Sequence, residues 1–304
     1  MVGEAIMEEI TFYKEEIRCG YCVSEKTKRI WAVQLEMLDE VDRICKTYQI
    51  PYFADSGTLI GAVRHKGYIP WDDDIDLVMM REDYNRFIRF AAEEVKEPLF
   101  LQTVYTEDNY LKGHIQIRNS NTTGYNKEDG QAGYHCGIFI DIFPLDGVPD
   151  SRWMRNVWRF QVQMAWKILY TWYRFGYYTD ATFLGRISHG IGAMLRIPIP
   201  KAFRWYEKLC SRYSKKKTRY VCDTVFIAAW EKNLWERKWF EDSVLMPFEN
   251  RQIPVPWGFD GRLKAEYGDY RKPVQAPACH GELVLDPDIP YGEYLSLAGK
   301  QSVQ

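Results

Sequence analysis

From residue 28 to 48 the apolar positions Ile30, Val33, Met37, Val41, Ile44 and Tyr48 recur every three or four residues, which predicts an amphipathic helix ended by Pro51. Residues 52–55 read as a short strand, and Ser56-Gly57 opens a small-residue helix, T-L-I-G-A-V, reaching about Arg64. A polar loop then leads to an apolar strand over 75–80 and a second amphipathic helix over 82–95. Strands are expected at 99–105 and 114–118, a Gly-rich loop at 119–137, and another apolar strand in G-I-F-I-D-I-F-P-L-D-G. Beyond Pro149 the pattern becomes helical again and rich in Trp over 153–172. From about Phe240 the tail shows strand-turn and helix-end features. Strands and helices so interspersed indicate an α/β (α+β) fold, a mixed sheet flanked by helices with an added helical segment.

Charge divides the chain. The net charge is −2, yet residues 151–220 carry 15 Lys and Arg against two acids, leaving −15 for the remainder. An acidic part joined to a basic part suits a catalytic core beside a segment that favours phosphates or an anionic membrane. Four parts follow: an extension at 1–27, a catalytic core at 28–150, a basic helical segment at 151–220, and a C-terminal part at 221–304 packing back on the core. With 46% apolar and 15% aromatic residues among 304, the chain can bury a core. Its first residues, MVGEAIMEEI, lack the apolar stretch of a secretory signal, and nothing resembles a membrane span. Seven scattered cysteines read as thiols in a reducing cytosol; Cys19 and Cys22 could form half a zinc site, for which the sequence supplies no second half.

The acidic run before the 75–80 strand narrows the chemistry. Asp72, Asp73, Asp74 and Asp76 occupy four of five positions, and a period of two puts Asp74 and Asp76 on one strand face. Side-by-side carboxylates repel, and burial would keep them protonated unless a cation lay between them. Mg²⁺ or Mn²⁺ is the cation suited to an all-oxygen site. An EF-hand from Asp72 would need Gly and Glu where Leu77 and Asp83 stand. Asp141, between Ile140 and Ile142, reads as a third carboxylate of the same site or as the partner of a buried Arg. The helix start at Ser56-Gly57 offers unpaired N–H groups to a phosphate, with Arg64, His65 and Lys66 nearby to clamp phosphate or shuttle a proton. Together these features describe metal-assisted phosphoryl transfer. The Trp-rich basic segment reads equally as an interfacial helix or as a core helix with snorkelling Arg.

The run DSGTLIGAVRHKGYIPWDDDIDLVMMREDY closely resembles the signature of the LicD family, whose relatives include fukutin and the fukutin-related protein. The blocks FIDIFPLDG and YGDYRKP resemble it too. The resemblance implies a nucleotidyltransferase-like fold and transfer of a phosphorylated small alcohol from a CDP-activated donor to a glycan hydroxyl. It implies Asp74, Asp76 and Asp141 as the catalytic and metal-holding carboxylates, and Ser56, Gly57 and Thr58 at the donor diphosphate. Arg64, His65 and Lys66 become donor-phosphate contacts, with Trp71, Asp72 and Asp73 on the substrate side. Phosphocholine is the leading donor group, polyol phosphate the alternative. The expected partners are a CDP-alcohol, a glycan acceptor or its lipid-linked precursor, and the anionic inner face of the membrane; no nucleic acid is expected. A nucleotidyltransferase consuming NTP, a glycosyltransferase, and a protein that only binds nucleotide or glycan are the competing readings.

Overall fold

The computed structural model describes residues 12–108, 110–126, 133–173, 183–275 and 283–301. Helix α1 (Glu25–Tyr48) starts earlier than periodicity suggests, because Ser24 caps it by accepting from the Thr27 amide at 3.1 Å. Its buried stripe, including Trp31, Leu35, Leu38 and Val41, lies in the main core, and the opposite face is polar. Ahead of it, β1 (Glu16–Arg18) and β2 (Tyr21–Val23) form a hairpin, tied to the C-terminal part through Arg18 and Glu249.

The central sheet has seven strands. The long strand β8 (Ile138–Val148), buried throughout, is its spine. β4 (Asp76–Met80) pairs with β8 in parallel and β3 (Phe53–Ala54) with β4 in antiparallel. β6 (Ile115–Asn119) pairs antiparallel with the first half of β8 and carries β5 (Leu99–Gln102) beyond it. The last residues of β8 instead pair with β9 (Tyr220–Asp223), which continues to β10 (Trp235–Glu236). A parallel pair inside an otherwise antiparallel sheet needs a crossover, here through helix α3 (Arg81–Glu94).

Helix α2 (Ser56–Ile60) is shorter than the sequence suggests; it passes into a π turn over Gly61–His65. The Gly-rich loop contains a strand, β7 (Thr123–Tyr125), paired with a segment of the distant tail, Val284–Asp286. That partner is invisible to local pattern, which explains why the stretch reads as a loop. In the basic segment, α4 (Arg152–Tyr173), α5 (Phe183–Leu195) and α6 (Ile199–Cys210) pack beside the sheet around Trp158, Val162, Phe203 and Tyr206. A buried ion pair ties α3 to β8: Arg81 Nε and Nη2 donate to both Asp146 oxygens at 2.8 and 2.7 Å. Ser214 and Thr224 hydroxyls, at 2.9 and 2.8 Å, satisfy the same carboxylate. Helix α7 (Phe259–Tyr267) follows a hairpin over Ser243–Phe248 and Arg251–Pro256 and turns back onto the catalytic side. His280 and Cys279 lie outside the described residues.

Candidate active site

The carboxylates are placed by the parallel pair. Asp76 and Asp141 are Cα partners in the β4–β8 register, so their side chains share one face of the sheet. The Asp141 amide donates to the carbonyl of Ile75 at 2.9 Å, locking that register at the strand's first residue. Asp74 is buried but precedes the strand rather than lying within it. Alternation along a strand therefore does not relate it to Asp76 as the sequence suggested. Asp72, Asp73 and Asp74 each present a ligand oxygen, and the three oxygens lie within 4.8 Å of one another. This all-carboxylate donor set is the kind that hard divalent cations take.

The loop carrying these residues is held from α1. Trp31 Nε1 donates to the Asp72 carbonyl at 3.1 Å and Gln34 Nε2 to the Asp73 carbonyl at 2.7 Å. Two backbone anchors from a rigid helix hold three like charges in place. The repulsion is visible in Asp76, whose pKa is pushed well above the usual carboxylate range by burial, then by Asp74 and Asp141. A cation among them would remove that penalty, so the residues present fit a metal.

Asp141 has the opposite environment. Burial works against its charge, but His114 Nε2 lies 3.2 Å from its Oδ1 and Gln116 Nε2 donates to that oxygen at 2.6 Å. These partners, with Lys112, hold it below the usual range. Gln116 is itself oriented: its Oε1 accepts from the wholly buried Arg118 at 2.7 Å, leaving the amide NH₂ directed at Asp141. The His114 ring leans on Phe143, with centroids 4.6 Å apart, and its Nδ1 is buried without a hydrogen-bond partner. Sequence reasoning missed His114 and Gln116 altogether. Their one signal was alternation in the 114–118 strand, where polar residues alternate with Ile115 and Ile117.

The first turn of α2 packs against the acidic loop and β4. Ser56 takes a left-handed φ of 48°, a conformation uncommon outside glycine, where the chain swings from β3 into the helix. A Cβ at Gly57 would run into the Asp72 carboxylate, so the absence of a side chain here gives Asp72 its room. Thr58 is a brace: its hydroxyl accepts from the Asp76 amide at 2.9 Å. Asp55, at the helix start, is buried and accepts from Arg262 of α7 at 2.6 Å. Arg262 in turn lies 3.6 Å over the Trp235 ring. Tyr267, at the end of α7, is 42% exposed.

Arg64 sends its Nη1 to the Tyr270 carbonyl at 2.6 Å and its Nε to His65 Nε2 at 2.8 Å, fastening the π turn to the C-terminal block. Burial, then Arg64 and Arg18, lower His65 to about 4, so it is neutral at physiological pH with one nitrogen already engaged. That environment disfavours a proton shuttle near neutrality. Lys66 is exposed, and Trp71 is half-buried with its ring edge against Tyr21 at 6.0 Å. Cys19 Sγ lies 3.7 Å from His65 Nδ1, and no group of three metal-binding side chains among the described residues includes either exposed cysteine.

A mixed sheet flanked by helices, with carboxylates gathered at the start of a parallel strand pair, defines a transferase of the nucleotidyltransferase-like class. The family model described as LicD/FKTN/FKRP, nucleotidyltransferase domain, matches residues 49–167. The chain is 30% identical over 254 residues to the lipopolysaccharide cholinephosphotransferase LicD of Haemophilus influenzae, covering 79% of this chain and 89% of that one. An uncharacterized protein of Rickettsia typhi is 48% identical over 67 residues, 22% of this chain and 21% of its own. The human ribitol 5-phosphate transferase FKRP is 30% identical over 82 residues, 22% of this chain and 16% of its own. The protein therefore belongs to the LicD family and is an enzyme of the LicD phosphotransferase type.

Proposed function

We propose that this enzyme moves phosphocholine from CDP-choline onto a hydroxyl of a cell-surface glycan or its lipid-linked precursor. The observation that carries the reading is the pairing of Asp76 with Asp141 beside the Asp72–Asp74 cluster, in a chain similar to a cholinephosphotransferase over most of its length. Mg²⁺ or Mn²⁺ would be held by Asp74, Asp76 and Asp141, with Asp72 and Asp73 adjoining. When bound it neutralises the donor's diphosphate oxygens and the charge that grows on the leaving CMP. The acceptor oxygen forms the new bond to the choline-bearing phosphorus as the bond to CMP breaks. Asp141, whose ionised form His114 and Gln116 favour, accepts a hydrogen bond from the acceptor hydroxyl and orients it, and the proton is lost to water as the new bond forms. Thr58 and the β4–β8 register hold the reacting carboxylates in line, so little reorganisation accompanies the step. The polyol-phosphate alternative has support from the similarity to FKRP, which covers 22% of this chain.

The test is ³¹P NMR with Mg²⁺ or Mn²⁺ and, in turn, CDP-choline, CDP-ribitol, CDP-glycerol and CTP, with glycan extract as acceptor. CMP release and a new phosphodiester signal from CDP-choline are expected. The same signals from CDP-ribitol or CDP-glycerol alone would replace choline by a polyol, and pyrophosphate from CTP would replace the reading by nucleotidyl transfer.

A further inference from the structure

Helix α4 answers a choice that its sequence leaves open. One face carries the buried Trp158, Val162 and Leu169, with Trp158 Nε1 donating to the Leu209 carbonyl at 2.9 Å, so the core is served. The other face still presents Trp153, Val157, Phe160, Met164 and Ile168 to solvent, at successive spacings of four, three, four and four. That is one continuous stripe, about 22 Å long at the helical rise. Trp153 is 74% exposed and Phe160 63%, values at which large rings normally find cover. Helix α5, held to α4 by Trp172 Nε1 donating to Ser188 Oγ at 3.1 Å, repeats the pattern with Ile187, Ile191 and Met194. More than half of the large apolar side chains exposed among the described residues belong to α4, α5 and α6.

The charges that α4, α5, α6 and the short turn after α5 expose have one sign. Lys167, Arg186, Arg196, Lys201 and Arg204 are exposed. Glu207, the one acid of residues 151–220 among those described, is turned inward, bonded by Tyr105 and 3.8 Å from Arg81. The outer surface of the three helices thus combines rows of apolar side chains with cations and no described carboxylate. A partner protein core would match the apolar rows but leave the cations uncompensated; an anionic bilayer matches both, taking the rings at headgroup depth and the cations against lipid phosphates. We propose that the outward faces of α4 and α5 dock the enzyme onto an anionic lipid surface, lying in the interface without crossing it. In agreement with that mode, no helix among the described residues is long and apolar enough to cross a membrane. The proposal rests on the surface alone and stands whichever donor the active site takes.

The experiment is co-sedimentation of the full chain with phosphatidylcholine vesicles, with and without phosphatidylglycerol, at low and high salt. Binding is expected to the phosphatidylglycerol vesicles and to weaken with salt. Trp153→Ser with Phe160→Ser should reduce it at least about tenfold, and so should Arg186→Glu with Arg196→Glu, all four residues being exposed and so dispensable for folding. Asp76→Asn should bind like the unaltered protein, which separates a failure of the transfer reading from a failure of this one. The proposal is overturned if the unaltered protein ignores anionic vesicles, or if both double variants bind as well as it does. It is equally overturned if light scattering finds a dimer that the Trp153/Phe160 variant converts to monomer, for then the face joins two copies of the chain.

Discussion

Asp76 and Asp141 stand directly opposite each other in the parallel β4–β8 pair, and the sheet surrounds them with opposed electrostatics. Burial and like charges favour the protonated form of Asp76, whereas His114 and Gln116 favour the charged form of Asp141. Asp76→Asn, nearly isosteric and uncharged, should lower turnover at least about a hundredfold while leaving the melting temperature equal or higher, since it relieves repulsion. Turnover measured beside a circular-dichroism melt checks both halves. Unchanged activity would remove Asp76 from the chemistry. Chelation of the unaltered enzyme should abolish turnover, and Mg²⁺ or Mn²⁺ should restore it.

Thr58 positions Asp76 through one hydrogen bond. Thr58→Val keeps the shape but leaves the Asp76 amide without its acceptor, a loss of about 1–3 kcal/mol in stability. Thr58→Ser should restore most of it. Urea unfolding of the three proteins reads the difference; a Val variant as stable as the original would show the bond to be idle.

His114 acts on Asp141 from the residue just before β6. Removal of a group that orients a metal or reacting carboxylate commonly costs about 10–100-fold in affinity or activity, and His114→Ala should fall in that range with the fold intact. Steady-state kcat is the measurement. An unaltered kcat would make the contact with Asp141 structural.

The Arg81–Asp146 pair ties helix α3 to strand β8, with Ser214 and Thr224 completing the carboxylate's partners. Arg81→Met strands a buried carboxylate and should cost about 3–5 kcal/mol, whereas Arg81→Met with Asp146→Leu should recover much of that. Denaturant midpoints of the single and double variants decide it.

Asp223 gives the clearest pH signature. Burial pushes it up to about 8, with the Val225 amide opposing. The folded chain therefore holds a proton that the unfolded chain releases at ordinary carboxylate pH. Stability is lost as pH rises from about 4 through about 8, and it is retained below that window. Asp223→Asn, which keeps an oxygen for the Val225 amide, should gain stability over the unaltered protein progressively across the same window, by a few kcal/mol at most. Melting curves from acid to alkaline pH test the slope; a pH-independent difference would mean that Asp223 ionises normally.

Much of the site was legible because its residues violate the pattern of their own segment. Acids crowded before an apolar strand, and Asp141 alone among Ile and Phe, have no packing explanation, so local sequence flags them without any fold. The helices over 25–48, 81–94 and 152–173 were legible for the converse reason: each carries a stripe that must be buried, and period alone reveals it. What only the tertiary structure decided is which groups meet. His114 and Gln116 reach Asp141 across an antiparallel register, Arg262 reaches Asp55 from 207 residues away, and β7 finds its partner in the tail. Each of these residues is unremarked in its own stretch, because contacts between distant segments are fixed by strand register and packing and leave no periodic trace. The same holds for the face of α4. Its sequence reads equally as an interfacial or a core helix, and only the packed neighbours determine which side the core takes and which remains outside.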